Sequence, residues 1–267
     1  MKSQPMRHPE IDQAFNEKLR SLTGLVPKTE VAAEDVYILG YQKSGTNWLR
    51  NLIAGVIYGA DPEYAPYALL QDLIPNRGQE HLSYYKRYGT PTYFKVHDLP
   101  RPQHRRVVYI YRDGRDVMVS YFHHLQAIRG REVDFLKVIT GGERLYPYCK
   151  WHEHIETWLT NPYEAQMLVM RYEDLKKDPV NELRRFCAFA GVARDDAYLE
   201  LMAQKASFAK MRQKEIRDGG ISIPSWSNDK FFVRRGEVGS YKDEMPAEVL
   251  AAFLADAEDT LRKLGYL

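Results

Sequence analysis

A short loop between Gly40 and Trp48 carries the residues best suited to bind an anion. Lys43 supplies a positive charge, and the hydroxyl groups of Ser44 and Thr46 supply hydrogen-bond donors. A tight loop that leads into a helix also directs backbone N–H groups and the positive end of the helix dipole at one place. This combination predicts a site for a phosphate-like group.

The loop differs from the Walker A motif of P-loop kinases and NTPases, whose order is G-x-x-x-x-G-K-S/T. Here Lys43 comes before Gly45, and the loop is shorter. An ordinary turn between a strand and a helix would need no lysine inside it. The pattern therefore favours a dedicated anion site, and a P-loop kinase is the alternative that a requirement for magnesium and ATP would reveal.

The elements around this loop follow the order of a parallel α/β protein. Val36–Leu39 is a short apolar run that ends at a glycine, which is typical of a buried strand. Between Trp48 and Ile57 apolar residues recur at helical spacing, which predicts a helix with one buried face. Val107–Tyr111 and the apolar residues after Gly114 repeat the same strand–loop–helix order.

Further segments complete the predicted fold. Strands are expected over residues 92–96 and 167–170, and helices over about 181–190 and 247–264. The intervening stretches 74–91 and 218–235 are expected to be loops or lids. The sequence thus predicts a single three-layer α/β domain, with a central parallel sheet flanked by helices, in the manner of P-loop NTPases.

Composition limits the classes of function. The chain has 267 residues, of which 44% are hydrophobic and 28% charged, as expected of one folded domain with a substantial core. We expect residues 1–35 to form a surface segment and residues 36–267 the core. The net charge of +2 comes from interspersed acids and bases, so no basic face for nucleic acid is predicted.

The start of the chain is polar, no apolar stretch approaches the length of a membrane span, and only two cysteines are present. A cytoplasmic protein without a membrane association is the expectation.

Arg112 is a second candidate for anion binding. It follows the predicted strand Val107–Tyr111 and precedes a helix, where its guanidinium group could hold a phosphate in a bidentate manner. A salt bridge to Asp116 is the alternative use of this side chain. Ser120 lies two turns into the same helix, and by itself it could be a packing residue.

In chain order, these segments resemble the motifs of the cytosolic-type sulfotransferases, enzymes that use PAPS (3′-phosphoadenosine-5′-phosphosulfate). Residues 43–48 resemble the 5′-phosphosulfate loop Y-P-K-S-G-T-x-W, with Gln42 in place of proline. Residues 109–121 resemble the 3′-phosphate segment, in which an arginine and a later serine hold the nucleotide. The resemblance extends from about residue 36 to the end of the chain.

Three later segments continue the resemblance. Arg171–Leu175 is similar to the element Y-E-D-L, and residues 207–208 are similar to the element S-F. Phe232–Lys242 is similar to R-K-G-x-x-G-x-W-K, with Arg235 and Tyr241 as substitutions. On the matching residues, the resemblance implies a nucleotide-binding set that consists of Lys43, Ser44, Gly45, Thr46, Asn47, Trp48, Arg112, Ser120, Tyr172, Ser207, Phe208, Arg234, Arg235 and Gly236. For Trp48 a core position, and for Arg234 and Arg235 a solvated charge pair, are the alternatives.

The resemblance also implies the catalytic groups. Phe94–Pro100 is similar to the stretch K-T-H-x-P, with Val96 in place of threonine, which implies that His97 is the catalytic base. Lys43 would stabilise the leaving 5′-phosphate, and Lys95 would support either the equatorial oxygens of the transferred group or the acceptor. PAPS is then the co-substrate, adenosine 3′,5′-bisphosphate the product, and no metal is required. A non-catalytic adenosine-nucleotide binding protein is the second alternative.

The acceptor is expected to be a small molecule, with an aromatic or natural-product alcohol as one option and an amine as another. A group of aromatic residues could line its pocket or could belong to the core: Tyr84, Tyr85, Tyr88, Tyr93, Phe122, Tyr146 and Tyr148. No group of histidines, cysteines or carboxylates has the spacing of metal ligands. The family's dimer signature is not matched after Lys242, so the oligomeric state stays open.

Overall fold

The computed structural model describes residues 15, 17–18, 20–77, 83–143, 149–218, 226 and 230–267. The strands are β1 (Leu25–Pro27), β2 (Val36–Leu39), β3 (Tyr84–Lys86), β4 (Tyr93–Val96), β5 (Arg106–Tyr111) and β6 (Gln166–Arg171). The helices are α1 (Thr46–Tyr58), α2 (Tyr67–Leu73), α3 (Gly114–Arg129), α4 (Phe135–Thr140), α5 (Trp151–Thr160), α6 (Tyr172–Lys177), α7 (Pro179–Ala190), α8 (Asp196–Lys205), α9 (Phe208–Asp218), α10 (Tyr241–Glu244) and α11 (Ala247–Lys263).

The central sheet has the strand order β4-β2-β5-β6, and all of its neighbouring strands are parallel. The four strands expected from the sequence are these four, and no bound differs by more than one residue. Parallel neighbours need crossover connections, and helices fill them here. The predicted parallel α/β fold is confirmed.

Alternation of side chains along the strands produces the three layers. On β2, Tyr37 and Leu39 join one hydrophobic cluster, whereas Val36 and Ile38 join another. Successive side chains of a strand point to opposite faces of the sheet, so the two clusters are the two interfaces between sheet and helices. Helix α11 packs into the first cluster, while helices α1, α7 and α8 pack into the second.

A small antiparallel pair lies outside the central sheet. Strand β1 pairs with β3, with Val26 opposite Tyr85. Val26 and Tyr85 are both buried and belong to the first hydrophobic cluster. The segment 74–91, expected to be a loop or lid, therefore contains a strand that is part of the packed structure. The division of the chain at residue 35 stays a prediction.

The sheet brings the candidate functional residues to one edge. The loop that starts at Gly40 follows β2, His97 follows β4, Arg112 follows β5 and Tyr172 follows β6. Because the strands are parallel, their carboxyl ends lie at the same edge, which is where open α/β sheets bind ligands. Among the described residues, no helix is both long and apolar enough to cross a bilayer.

Candidate active site

The loop after β2 is held in a conformation that few residues adopt. Lys43 has φ 70° and Gly45 has φ 100°, both in the left-handed region. A Cβ atom on Gly45 would lie 2.7 Å from Cδ2 of Tyr172, so only glycine fits there. A left-handed lysine at the start of a helix is a strained arrangement of the kind that concentrates at functional sites.

Several polar atoms around this loop are suited to an anion. Gly45 is the N-cap of α1 and offers no side-chain oxygen to the N–H groups of the first turn. The hydroxyl of Ser44 is fully buried and has no hydrogen-bond partner among the described residues. The Nε atom of Arg112 is also buried without such a partner. Buried groups of this kind are normally hydrogen-bonded, so the donor set fits a bound phosphate or sulfate group.

His97 is tied to the same loop through its ring. Its Nδ1 atom lies 2.6 Å from the carbonyl oxygen of Gly40. A carbonyl oxygen can only accept, so Nδ1 carries the proton and Nε2 is the basic nitrogen of the neutral ring. Burial, followed by the charge of Lys95, holds the pKa of His97 well below 6.5. At neutral pH this imidazole is therefore uncharged and able to accept a proton.

Helix α5 fixes the main chain that carries this histidine. His154 accepts a hydrogen bond from the hydroxyl of Tyr109 at Nδ1, over 3.0 Å, and its Nε2 atom donates to the carbonyl oxygen of His97, over 3.2 Å. Trp158 donates from its indole nitrogen to the carbonyl oxygen of Asp98, over 2.9 Å. These contacts hold the segment after β4 against helix α5.

Two lysines at the site share an electropositive environment. Burial, followed by the charge of Arg112, lowers the pKa of Lys43 to about 7. Burial and the charges of Arg50 and Lys43 lower the pKa of Lys95 to about 7. The ammonium group of Lys43 lies 3.7 Å from the centroid of the Phe232 ring. Neighbouring cations lower each other's pKa, and an anion bound between them raises both pKa values again.

Arg112 is held by a hydrogen bond and by an ion pair. It donates to the carbonyl oxygen of Glu237 over 2.6 Å and lies 3.3 Å from a carboxylate oxygen of Asp116, which realises the predicted alternative. Asp116 is fully buried and also accepts hydrogen bonds from Gly239 N, the Ser240 hydroxyl and Tyr241 N. The guanidinium group lies 4.5 Å from the centroid of the Tyr172 ring. Arg112 thus connects the sheet edge to the segment before α10.

Arg234 and Arg235 are both paired with acids and both line the cleft. Arg234 donates to Glu244 over 2.6 Å, and Arg235 donates to the same carboxylate over 2.9 Å. Arg235 also contacts Glu237 over 2.8 Å. The next residue is a required glycine, because Gly236 has φ 63° and a Cβ atom there would lie 2.4 Å from the Phe208 ring.

One cleft of about 620 Å³ collects these groups. All of the site residues inferred from the sequence line it except Ser44, which is fully buried. They are Lys43, Gly45, Thr46, Asn47, Trp48, Lys95, His97, Arg112, Ser120, Tyr172, Ser207, Phe208, Arg234, Arg235 and Gly236. Trp48 is half-buried, donates to the carbonyl oxygen of Ala206 over 2.8 Å and meets the Tyr172 ring edge-on.

Comparison with known proteins assigns the family. The family described as "Sulfotransferase domain" matches residues 33–265, which is most of the chain. The chain belongs to the sulfotransferase domain family. Sulfotransferase 2A6 of Rattus norvegicus is 27% identical over 262 residues, which cover 90% of this chain and 89% of that protein. The enzyme class expected from the sequence is therefore confirmed.

Solved structures share the fold. The crystal structure of mouse sulfotransferase SULT7A1 complexed with PAP has a TM-score of 0.64 at 20% identity and covers 88% of this chain and 86% of that one. Retinol dehydratase in a complex with retinol and PAP has a TM-score of 0.67 at 21% identity, with coverage of 87% and 82%. At these identities the likeness concerns the fold.

Sequence reasoning missed several polar residues that line the sulfotransferase cleft, among them Arg50, His124, Lys214 and Glu215. For two of them, their positions in predicted helices could have indicated a place at the cleft. Arg50 is a charged residue in the apolar helix that follows the loop, and His124 stands four residues after Ser120, on the same face of α3. Lys214 and Glu215 lie on α9, which only the tertiary structure brings to the cleft.

The aromatic residues suggested for an acceptor pocket are placed elsewhere where the structure describes them. Tyr85 and Tyr93 are buried in the two hydrophobic clusters, and Phe122 stacks on Phe135 at 4.3 Å. Tyr84 and Tyr88 do not line the cleft either, and Tyr146 and Tyr148 lie outside the described residues. For Tyr85, Tyr93 and Phe122 the core alternative is correct. The cleft of the sulfotransferase instead presents the ring of Phe232 near Lys43.

No group of three or more histidines, cysteines, aspartates or glutamates in the described part of the sulfotransferase is arranged to hold a metal ion.

Proposed function

We propose that this sulfotransferase transfers a sulfuryl group from PAPS to a hydroxyl group of a small-molecule acceptor, with His97 as the general base. The observation that carries the proposal is the hydrogen bond of 2.6 Å between Nδ1 of His97 and the carbonyl oxygen of Gly40. It fixes the basic nitrogen of the ring relative to the loop that fits the phosphosulfate. Base and anion site are thus one rigid unit, as an in-line displacement demands.

The donor nucleotide is proposed to bind between the two ends of the cleft. The loop from Lys43 to Trp48 holds the 5′-phosphosulfate, supported by the buried Ser44 hydroxyl and the first turn of α1. Arg112, Ser120 and the Arg234–Gly236 segment hold the 3′-phosphate. Trp48, Tyr172, Ser207 and Phe208 flank the adenosine. The solved neighbours that contain PAP support this choice of nucleotide.

His97 performs the proton transfer. Its Nε2 atom accepts the proton of the acceptor hydroxyl while the oxygen of that hydroxyl forms a bond to sulfur. In the same displacement the bond between sulfur and the oxygen of the 5′-phosphate breaks, and adenosine 3′,5′-bisphosphate leaves with that electron pair. A positioned base of this kind contributes about 10²–10⁴-fold to the rate.

Lys43 and Lys95 stabilise the charge that develops. Negative charge grows on the oxygen of the leaving phosphate, where Lys43 is proposed to act, and Lys95 stabilises the oxygens of the transferred group. Preorganised positive groups in a partly dehydrated site are commonly the largest contribution to catalysis. The neighbouring Arg50, whose charge lowers the pKa of Lys95, adds to the positive potential.

The acceptor is proposed to be an alcohol, with an aromatic or natural-product alcohol as the first class to test. Retinol, which the retinol dehydratase structure contains, is such an alcohol. A cytoplasmic location is part of the proposal and is supported by the two cysteines, Cys149 and Cys187, which no disulfide joins in the described structure.

The test is an acceptor screen with labelled PAPS, followed by mass detection of the sulfated product, in wild type and in His97→Ala. We expect turnover to fall by about 10²–10⁴-fold in the variant, while adenosine 3′,5′-bisphosphate binds with little change. Lys43→Ala should abolish turnover as well. His152→Ala is the matched control, because His152 lies on α5 and does not line the cleft.

Wild-type turnover in His97→Ala would remove this histidine from the mechanism. Phosphorylated product that requires magnesium and ATP would favour a kinase. Tight binding of adenosine 3′,5′-bisphosphate without sulfation of any acceptor would favour a binding protein.

A further inference from the structure

A second cavity opens beside the cleft, between helices α3 and α9 and the segment that precedes α10. This side cavity has a volume of about 270 Å³. It shares Lys43, Ser120, His124, Phe232 and Arg234 with the cleft. A molecule that reaches the base from this side would therefore pass His124 and Phe232.

The charged residues that line the side cavity are all basic among the described residues: Lys43, Arg212, Lys230 and Arg234. Two of them already have another role, since Lys43 belongs to the proposed phosphosulfate loop and Arg234 pairs with Glu244. Arg212 and Lys230 do not line the main cleft. Neither forms an ion pair with a carboxylate in the part of the chain that the structure describes. Their charge is not explained by the donor nucleotide.

Arg212 is held in a fixed position on the cavity wall. It donates to the carbonyl oxygen of Val233 over 2.5 Å, and its guanidinium carbon lies 3.2 Å from the centroid of the Phe231 ring. A guanidinium group has five N–H donors, and the described residues occupy one of these. A planar, fixed arginine of this kind is suited to a carboxylate, because two parallel hydrogen bonds can form.

Aromatic rings form the rest of the wall. The ring of His124 lies 5.4 Å from that of Trp226 and 6.0 Å from that of Phe232, and the latter two are 5.8 Å apart. The Nδ1 atom of His124 is buried and has no hydrogen-bond partner among the described residues. Within the described part of the chain, the cavity thus combines faces for a flat ring, one polar atom without a hydrogen-bond partner and two cations without a carboxylate partner.

We infer that the acceptor is an aromatic alcohol that carries a negatively charged group, with its ring between His124, Trp226 and Phe232 and its charge held by Arg212 and Lys230. This inference rests on the proposed function. The acceptor hydroxyl lies toward His97 in the cleft, and the charged group lies in the side cavity. Arg212 and Lys230 act as specificity-determining residues and take no part in the transfer itself.

The experiment compares two acceptors of nearly equal shape, 4-hydroxybenzoate and 4-hydroxybenzamide, of which only the first is charged. We expect wild type to favour the carboxylate by about tenfold or more in kcat/KM, as one charge-assisted hydrogen bond provides. In Arg212→Gln and Lys230→Gln this ratio should fall toward one, and Arg212→Lys should retain part of it. Lys210→Gln is the control, because Lys210 lies on the same helix and already pairs with Glu63 over 2.7 Å.

Three results would overturn the inference. Wild type could use the amide as well as the carboxylate, the ratio could survive in Arg212→Gln and Lys230→Gln, or Arg212→Gln could weaken the binding of adenosine 3′,5′-bisphosphate. The last result would assign the side cavity to the donor.

A binding measurement separates this inference from the proposed function. Calorimetric titration of 4-hydroxybenzoate into the protein saturated with adenosine 3′,5′-bisphosphate needs no turnover. Binding of the carboxylate that exceeds binding of the amide, and that Arg212→Gln removes, supports the inference even if neither compound is sulfated. Equal binding of the two compounds opposes it. Failure of the nucleotide itself to bind would instead contradict the proposed function.

Discussion

The two ends of the cleft hold their positive charges in different ways. At the loop end, burial, followed by the charges of neighbouring cations, lowers the pKa of Lys43 and of Lys95 to about 7. At the arginine end, which consists of Arg112, Arg234 and Arg235 and lies close enough to Lys43 for Arg112 to lower its pKa, each guanidinium group is paired with a carboxylate. The charged form of the lysines is therefore disfavoured at the loop end, whereas each cation of the arginine end has a carboxylate partner.

This difference separates catalysis from positioning. Lysines whose charge is disfavoured gain most from an anion, so the loop end can respond to charge that develops during the reaction. Arginines that are ion-paired in the protein change less when a phosphate arrives, and under the proposed function their role is to hold the chain and the nucleotide in place. The arginine end should thus govern stability, and the loop end should govern binding and pH dependence.

The largest expected effect is at the arginine end. Asp116→Asn places an amide N–H₂ where Asp116 now accepts from Arg112 and from backbone N–H groups near α10. Loss of one partner of a buried ion pair costs about 3–5 kcal/mol. Urea unfolding should show a reduction of that size in the free energy of unfolding.

Asp256→Asn is the control for this substitution. Asp256 forms a partly exposed ion pair with Lys150, so its loss should cost less than about 1 kcal/mol. Equal stability of the two variants would show that Asp116 does not hold the arginine end together.

A smaller effect on stability is expected at the loop end. Gly45→Ala puts a Cβ atom 2.7 Å from the Tyr172 ring at a residue with φ 100°. The strain should cost about 1–3 kcal/mol, and the displaced loop should lose its affinity for adenosine 3′,5′-bisphosphate, measured by calorimetry.

Gly59→Ala provides a matched control at the other end of α1. Gly59 has φ 69°, and a Cβ atom there would meet nothing within 4 Å. This variant should carry part of the backbone strain and bind the nucleotide like wild type. If both variants bind equally well, the loop conformation does not determine nucleotide binding.

The smallest expected effect is the pH dependence of nucleotide binding, which tests the difference between the loop end and the arginine end. In the free protein the pKa of both Lys43 and Lys95 is about 7, so both are largely neutral at pH 8–9. A bound anion raises these pKa values, and binding at pH 8–9 must therefore take up protons. Affinity for adenosine 3′,5′-bisphosphate should fall by up to about tenfold per pH unit for each lysine.

Calorimetry in two buffers of different ionisation enthalpy measures the proton uptake directly. Lys43→Arg should remove the contribution of one lysine, because an arginine stays charged throughout this range. An affinity that is constant between pH 8 and pH 9 would mean that the lysines do not respond to the nucleotide.

Local sequence patterns predicted much of this architecture because they act over short distances. The run Val36–Leu39 followed by a glycine-bearing loop specifies a strand and a turn from neighbouring residues alone. Arg112 could be assigned to anion binding because it follows an apolar run and precedes a helix, whereas His97 was identified only through the resemblance of its segment to K-T-H-x-P. The parallel sheet brings both residues beside the loop, because the carboxyl ends of parallel strands share an edge. The antiparallel pair of β1 and β3 was missed, since Leu25–Pro27 and Tyr84–Lys86 are short and far apart in the chain.

What the sequence determined by itself is the order of strand ends and the residue types at them: a lysine in a loop, a histidine after β4 and an arginine after β5. Tertiary structure alone decided the electrostatics. Helix α9 brings Arg212, Lys214 and Glu215 to the cavities from a distant part of the chain. Glu244 pairs with Arg234 and Arg235, and Gly40 selects the tautomer of His97. The reason is that pKa values and ion pairs depend on distances through space, which spacing along a chain does not specify.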